Sequence, residues 1–122
     1  MDRTFFTLGA VAAALGMVAG AFGAHALKGR LAPELLAAFE TGVRYHLIHA
    51  LGLLSAGWAA TRWPGRTAKT AGWLFLLGIL LFSGSLYGLA LTGVRILGVV
   101  TPFGGAAFIG GWVLLAWAAW RG

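Results

Sequence analysis

Apolar residues do not alternate along this chain. They come in four long runs, roughly 4–24, 43–60, 71–91 and 102–120, with the charges gathered in the short stretches between them. A transmembrane helix needs about 20 mainly apolar residues, whereas a barrel strand needs about 10 with period-2 alternation. The pattern predicts an all-α fold, an integral membrane four-helix bundle with short loops, formed by one domain over residues 1–122. The four spans use roughly 80 positions and leave no room for a soluble catalytic domain. There is no domain boundary, low-complexity segment or internal repeat.

Punctuation residues sharpen the boundaries. The first run ends in Ala24-His25-Ala26 behind a basic start, which resembles a signal-peptide cleavage site. Its apolar stretch is long for such a peptide, and we read it as an uncleaved helix. Pro33 suits a first helical turn, and no further proline follows until Pro64. A helix from Pro33 to Thr61 would be about 43 Å long, more than a 30 Å hydrocarbon core, so its opening turns with Glu34 and Glu40 belong at the interface. The "TRWPGRTAK" loop is short enough to make the second and third spans antiparallel neighbours. Thr101-Pro102 reads as an N-cap hydroxyl followed by a proline at the first helical position; a broken or re-entrant helix is the competing reading.

Composition supports the membrane reading. Of 122 residues, 60% are hydrophobic and only 10% charged, against about 25% in an average soluble domain, and the mean hydropathy is +0.87. Nine Lys and Arg against three acids give +6. The basic residues border apolar runs, as at a headgroup region, and form no stripe for nucleic acid. No cysteine is present, which excludes thiolate metal sites and thiol catalysis.

Orientation follows from the same charges. An inside N-terminus puts Arg3, Arg62, Arg66, Lys69 and Arg121 in the cytoplasm and Lys28, Arg30, Arg44 and Arg95 opposite, a narrow margin favouring N-in, C-in in the cell membrane. Trp58, Trp63, Trp73, Trp117 and Trp120 fall near the middle loop or the C-terminus and should form an interfacial belt at one end.

The other end collects polar side chains. Alternating spans bring His25, Tyr45, His49, Ser83, Ser85, Tyr87 and Thr101 to the same level. Counted from the span edges, His49 and Ser85 both lie about 9 Å deep. Ionisable groups inside a span mark a functional site by default. The plain alternative is a structural lock, in which His49 bonds a neighbouring hydroxyl at about 0.6 kcal/mol. Glu40 and Arg44 are spaced for an interfacial ion pair on one face of the second helix, with Tyr45, His46 and His49 on the opposite face. A gate or proton relay is the functional reading of that pair. His46 and His49 are too few for a zinc site, haem would need a cavity, and with Asp2 as the only Asp a Ser–His–Asp arrangement is impossible. We therefore expect no metal, no cofactor and no enzyme activity.

Glycine is abundant, at 20 residues. Gly16 and Gly20, and again Gly84 and Gly88, are four apart, with Ala106 and Gly110 repeating the spacing in the last span. Small residues so placed let helices approach closely, within one chain or between copies in a homo-oligomer.

The segments "GAFGAHALKGRL", "FETGVRYHLIHALGLL", "LFSGSLYGLALTG" and "TPFGGAAFIGGW" carry a resemblance that covers nearly the whole chain. It is to the membrane family known as domain of unknown function 423 (transmembrane protein 256-like). The resemblance implies a small multi-span membrane protein without an established activity. It also implies that Gly20, Gly23, His25, Thr41, Gly42, Tyr45, His49, Ser83, Gly84, Ser85, Tyr87, Pro102, Gly104 and Gly105 fill motif positions. His46 and Arg44 depart from the pattern. The leading expectation is a non-enzymatic protein whose polar pocket binds membrane lipid or passes a small solute. The alternatives are an assembly subunit acting through small-residue faces and a metal- or haem-binding redox protein.

Overall fold

A computed structural model describes residues 2–122. Four helices account for nearly all of it. Helix α1 (Asp2–Phe22) runs into a wide π turn, Gly23–Leu27. Helix α2 (Pro33–Arg62) has 30 residues, with Pro33 in its first turn and Glu34 beside the positive end of its dipole. Helix α3 (Arg66–Thr92) contains a π segment at Ile79–Ser83 and stops at Gly93. Gly93 has φ 73° and returns its N–H to the Leu89 carbonyl at 2.8 Å. That left-handed conformation is one glycine adopts without steric penalty. A short 3-10 turn, Arg95–Val99, leads to α4 (Thr101–Arg121). Thr101 is inside this helix and makes no cap bond, so the expected N-cap role falls away.

Helices α1, α3 and α4 are long and apolar enough to cross a membrane. Helix α2 has the length but carries the ionisable residues, and it solves that problem by taking the centre. It packs against α1, α3 and α4. Its buried positions include Phe39, Gly42, His46, His49, Leu53, Ala56 and Ala60, a three-then-four spacing that makes one inward stripe. Meanwhile Phe6, Val11, Leu15, Met17 and Val18 on α1, and Phe103, Ile109 and Val113 on α4, stay exposed. Such a continuous apolar exterior matches hydrocarbon, not water.

The core sets aromatic rings on glycines. A Cβ on Gly72 would come within 2.6 Å of the Phe5 ring, one on Gly111 within 2.6 Å of Phe75, and one on Gly42 within 2.9 Å of Tyr87. Gly16 and Gly20 face Leu47 and Val43 of α2, Gly88 meets Leu97, and Gly110 meets Leu74. Gly104 sits directly on backbone, that of Phe82 in the π segment, with Gly105 more loosely against the Phe82 ring; Gly111 also meets a backbone oxygen, that of Ala71, at 3.3 Å. Gly84 differs from all of them: it is exposed, and a Cβ there would meet only the Ile79 carbonyl of its own helix, at 3.9 Å.

Candidate functional site: the interior polar ties

His49 projects from the inward stripe of α2 and is 3% exposed. Its ring stacks on Phe108 of α4, with centroids 3.5 Å apart and planes within 6°. Its Nδ1 is 2.8 Å from the Tyr45 carbonyl, and Trp112 Nε1 is 2.9 Å from its Nε2. A carbonyl only accepts and an indole N–H only donates. The proton therefore sits on Nδ1 and Nε2 accepts, which requires the neutral imidazole. Both nitrogens are occupied.

The neighbouring ties follow the same economy. His46 Nδ1 and the Tyr87 hydroxyl are 2.8 Å apart, joining α2 to α3. Ser83, 0% exposed, donates to the Gly42 carbonyl of α2 at 2.7 Å. Ser85 donates to the Phe82 carbonyl at 2.9 Å, so its 2.6 Å contact with Thr101 of α4 has the threonine as donor. Among the described residues no buried side-chain nitrogen or oxygen lacks a partner.

These positions share neither a cavity nor the single depth expected of His49 and Ser85: His49 meets Phe108, whereas Ser85 meets Thr101 and Ser83 meets Gly42, each about 10 Å away along α4 or α2. Residues two apart on a helix project about 200° apart. Ser83 accordingly faces α2 while Ser85 faces α4, and Gly84 between them faces out. Tyr45 lies at the edge, 37% exposed, with its ring against Phe82 at 5.0 Å. His25 is exposed in the π turn after α1, away from the interior ties. Of the seven positions expected to line a pocket, the structure makes His49, Ser83, Ser85, Tyr87 and Thr101 into separate interhelical bonds and leaves His25 and Tyr45 outside them.

Phe108 and Trp112 are the residues that sequence reasoning passed over. Trp112 was the one tryptophan left between the expected belt and the polar end. A mid-span indole N–H needs an acceptor, and that requirement was the available signal. Glu40 and Arg44 stand exposed on α2 as their spacing required. Among the described residues they form no ion pair; instead they line a groove of about 230 Å³ with Gly20, Gly23, Ala24, Phe39 and Val43. Nor, among the described residues, do three potential metal ligands gather at any point.

Four packed helices with apolar exteriors and a hydrogen-bonded interior define a multi-pass helical membrane protein. The chain belongs to the family described as protein of unknown function DUF423, whose model matches residues 19–105. It is 48% identical over 118 residues to the UPF0382 membrane protein YwdK of Bacillus subtilis, covering 96% of each chain. It is also 44% identical over 113 residues to a UPF0382 membrane protein of Staphylococcus haemolyticus, covering 93% of this chain and 92% of the relative. No solved structure matches it.

Proposed function

We propose that this chain is a non-enzymatic membrane protein that engages lipid at its polar end, through the outer groove between α1 and α2. One observation carries the reading: Glu40 and Arg44 stand one helical turn apart on the wall of that groove, above a floor of small residues. Glu40 and Arg62 lie about 33 Å apart along α2, close to a 30 Å hydrocarbon thickness, which puts the groove at headgroup level. A zwitterionic headgroup offers a phosphate to the Arg44 guanidinium and an ammonium to the Glu40 carboxylate. The interior imidazoles and hydroxyls act as the lock that holds the groove walls. With both nitrogens of His49 occupied, that imidazole serves the packing of the helices and is not an open base.

The test uses the full chain in nanodiscs of mixed phosphatidylethanolamine and phosphatidylglycerol, followed by native mass spectrometry. Wild type should retain phosphatidylethanolamine, and Arg44→Ala and Glu40→Ala should each lose it. His49→Ala should unfold at lower temperature yet keep the lipid. Equal retention by Arg44→Ala, or solute flux through wild-type vesicles, overturns the proposal.

The outward Gly84 supports a second reading, a homo-oligomer packed through α3. Gly84→Leu would then convert the oligomer to monomers without unfolding it. The basic middle loop supports a cytoplasmic tryptophan end, which single cysteines introduced at Thr67 and Gly98 would test by one-sided labelling.

A further inference from the structure

The opposite end of the bundle has two adjoining recesses that share Trp63. The first is an apolar groove of about 620 Å³ between α2 and α4, walled by Leu54, Trp58, Trp63, Trp112 and Leu115. From Trp63 to Leu54 it runs about 13 Å down α2 toward the bilayer centre. Trp112 turns its N–H inward to His49 and so presents only apolar ring to the groove. The second is a polar recess of about 380 Å³ at the groove's mouth, lined by Arg62, Arg66 and Arg121 together with Gly65 and Thr67. Among the described residues no Asp or Glu lines either recess. Arg62 lies 5.7 Å over the Trp63 ring, which anchors one guanidinium at the junction of the two. Helix α3 begins here with no side-chain cap, leaving its first amides for an anion.

We infer that this end is a binding site for one anionic phospholipid, its phosphate held by Arg62, Arg66 and Arg121 and an acyl chain laid along the tryptophan groove. Guanidinium groups match phosphate oxygens in charge and in bidentate geometry. The lipid is anionic because three guanidinium groups line the recess and, among the described residues, no Asp or Glu does, unlike the Glu40 and Arg44 groove. The acyl chain follows from continuity: the cationic recess opens onto an apolar channel at membrane depth, a combination that a soluble anion would leave half empty.

Native mass spectrometry of the delipidated full chain in detergent, titrated with phosphatidylglycerol or phosphatidylcholine of identical chains, tests the site. Wild type should prefer phosphatidylglycerol by about tenfold or more, each Arg→Gln change should weaken that lipid roughly fivefold, and the triple change should erase the preference. Trp58→Ala should weaken both lipids, and the triple Arg→Lys variant should restore much of the preference, which guards against a folding defect. Arg95→Gln, outside both sites, should leave the phosphatidylglycerol affinity unchanged, and Arg44→Ala should alter only phosphatidylcholine binding, so this site and the Glu40 and Arg44 groove fail separately. Equal binding of the two lipids by wild type, a preference surviving the triple Arg→Gln change, or displacement of the lipid by glycerol phosphate alone overturns the inference.

Discussion

The two ends of this bundle use polar residues in opposite ways. In the half nearer the α1–α2 turn, His46, His49, Ser83, Ser85, Tyr87 and Thr101 lie inside and bond one another or the backbone. At the tryptophan end the interior is alanine, with Ala59, Ala60, Ala68 and Ala118 in contact, and the polar groups, Arg62, Arg66 and Arg121, are exposed. In hydrocarbon an unsatisfied polar group is expensive, so a polar interior closes on itself and gives rigidity. Capacity to bind something else survives only where water and headgroups reach, on the rim. The difference teaches that a buried histidine in this bundle ties helices together, whereas the exposed arginines beside an apolar groove keep their hydrogen-bonding capacity free, which is why the proposed binding sites are on the rim.

The largest effect should come from the point where backbone meets backbone. A Cβ at Gly104 would fall on the Phe82 amide and Cα, which cannot swing aside as a side chain would. Gly104→Leu is expected to lose at least about 3 kcal/mol, the upper end of ordinary overpacking, and to fail as a folded monomer in detergent. Gly84, for which the nearest atom to a Cβ is the Ile79 carbonyl at 3.9 Å, should accept leucine within about 0.5 kcal/mol in the monomer. Similar thermal unfolding of the two variants would mean that α3 and α4 do not approach as described.

The next effect separates the two classes of histidine. His49→Ala removes the Phe108 stack and leaves the Trp112 N–H without its acceptor, a loss of about 3 kcal/mol. His25→Ala, at an exposed position, should change stability by less than about 0.5 kcal/mol. Equilibrium unfolding in mixed micelles reads both. An equal loss from His25→Ala would place that residue back among the interior ties.

Much of this was legible in the sequence and some of it was not, for definite reasons. Run length alone defines an all-α membrane bundle, and Pro33 marks a helix start because its backbone preference acts locally. The outward placement of Glu40 and Arg44 and the inward placement of His46 and His49 follow from helical spacing on a regular helix. Counting residues from the span edges, however, puts His49 and Ser85 at one level although their partners on α4, Phe108 and Thr101, are seven residues apart, and it says nothing about direction around a helix. Ser83 and Ser85 match in level and point opposite ways. The π segment at Ile79–Ser83 adds a local change of phase that no hydrophobic periodicity reveals. Sequence suggests a local cap at Thr101, but its hydroxyl serves Ser85 sixteen residues earlier, a pairing only the packed fold can set. The glycines were read as close-approach sites for backbones, whereas most of those in the core seat a ring or an aliphatic chain, since a Gly next to a bulky residue packs as well as two small ones.

The smallest predicted effect discriminates most finely between a shared pocket and separate ties. Ser83→Ala removes the bond to the Gly42 carbonyl, and Ser85→Ala removes the bond to Thr101. Each should cost about 0.6 kcal/mol, the average for interhelical bonds within membranes, with the fully buried Ser83 somewhat above it. Because the two hydroxyls face different helices and have no common partner, their effects should add within about 0.5 kcal/mol in a double-mutant cycle. Residues lining one cavity would instead share water or a ligand, and removing the first would change the consequence of removing the second. A coupling above that limit would put Ser83 and Ser85 into one site and return the interior of the polar half to the list of places where a ligand binds.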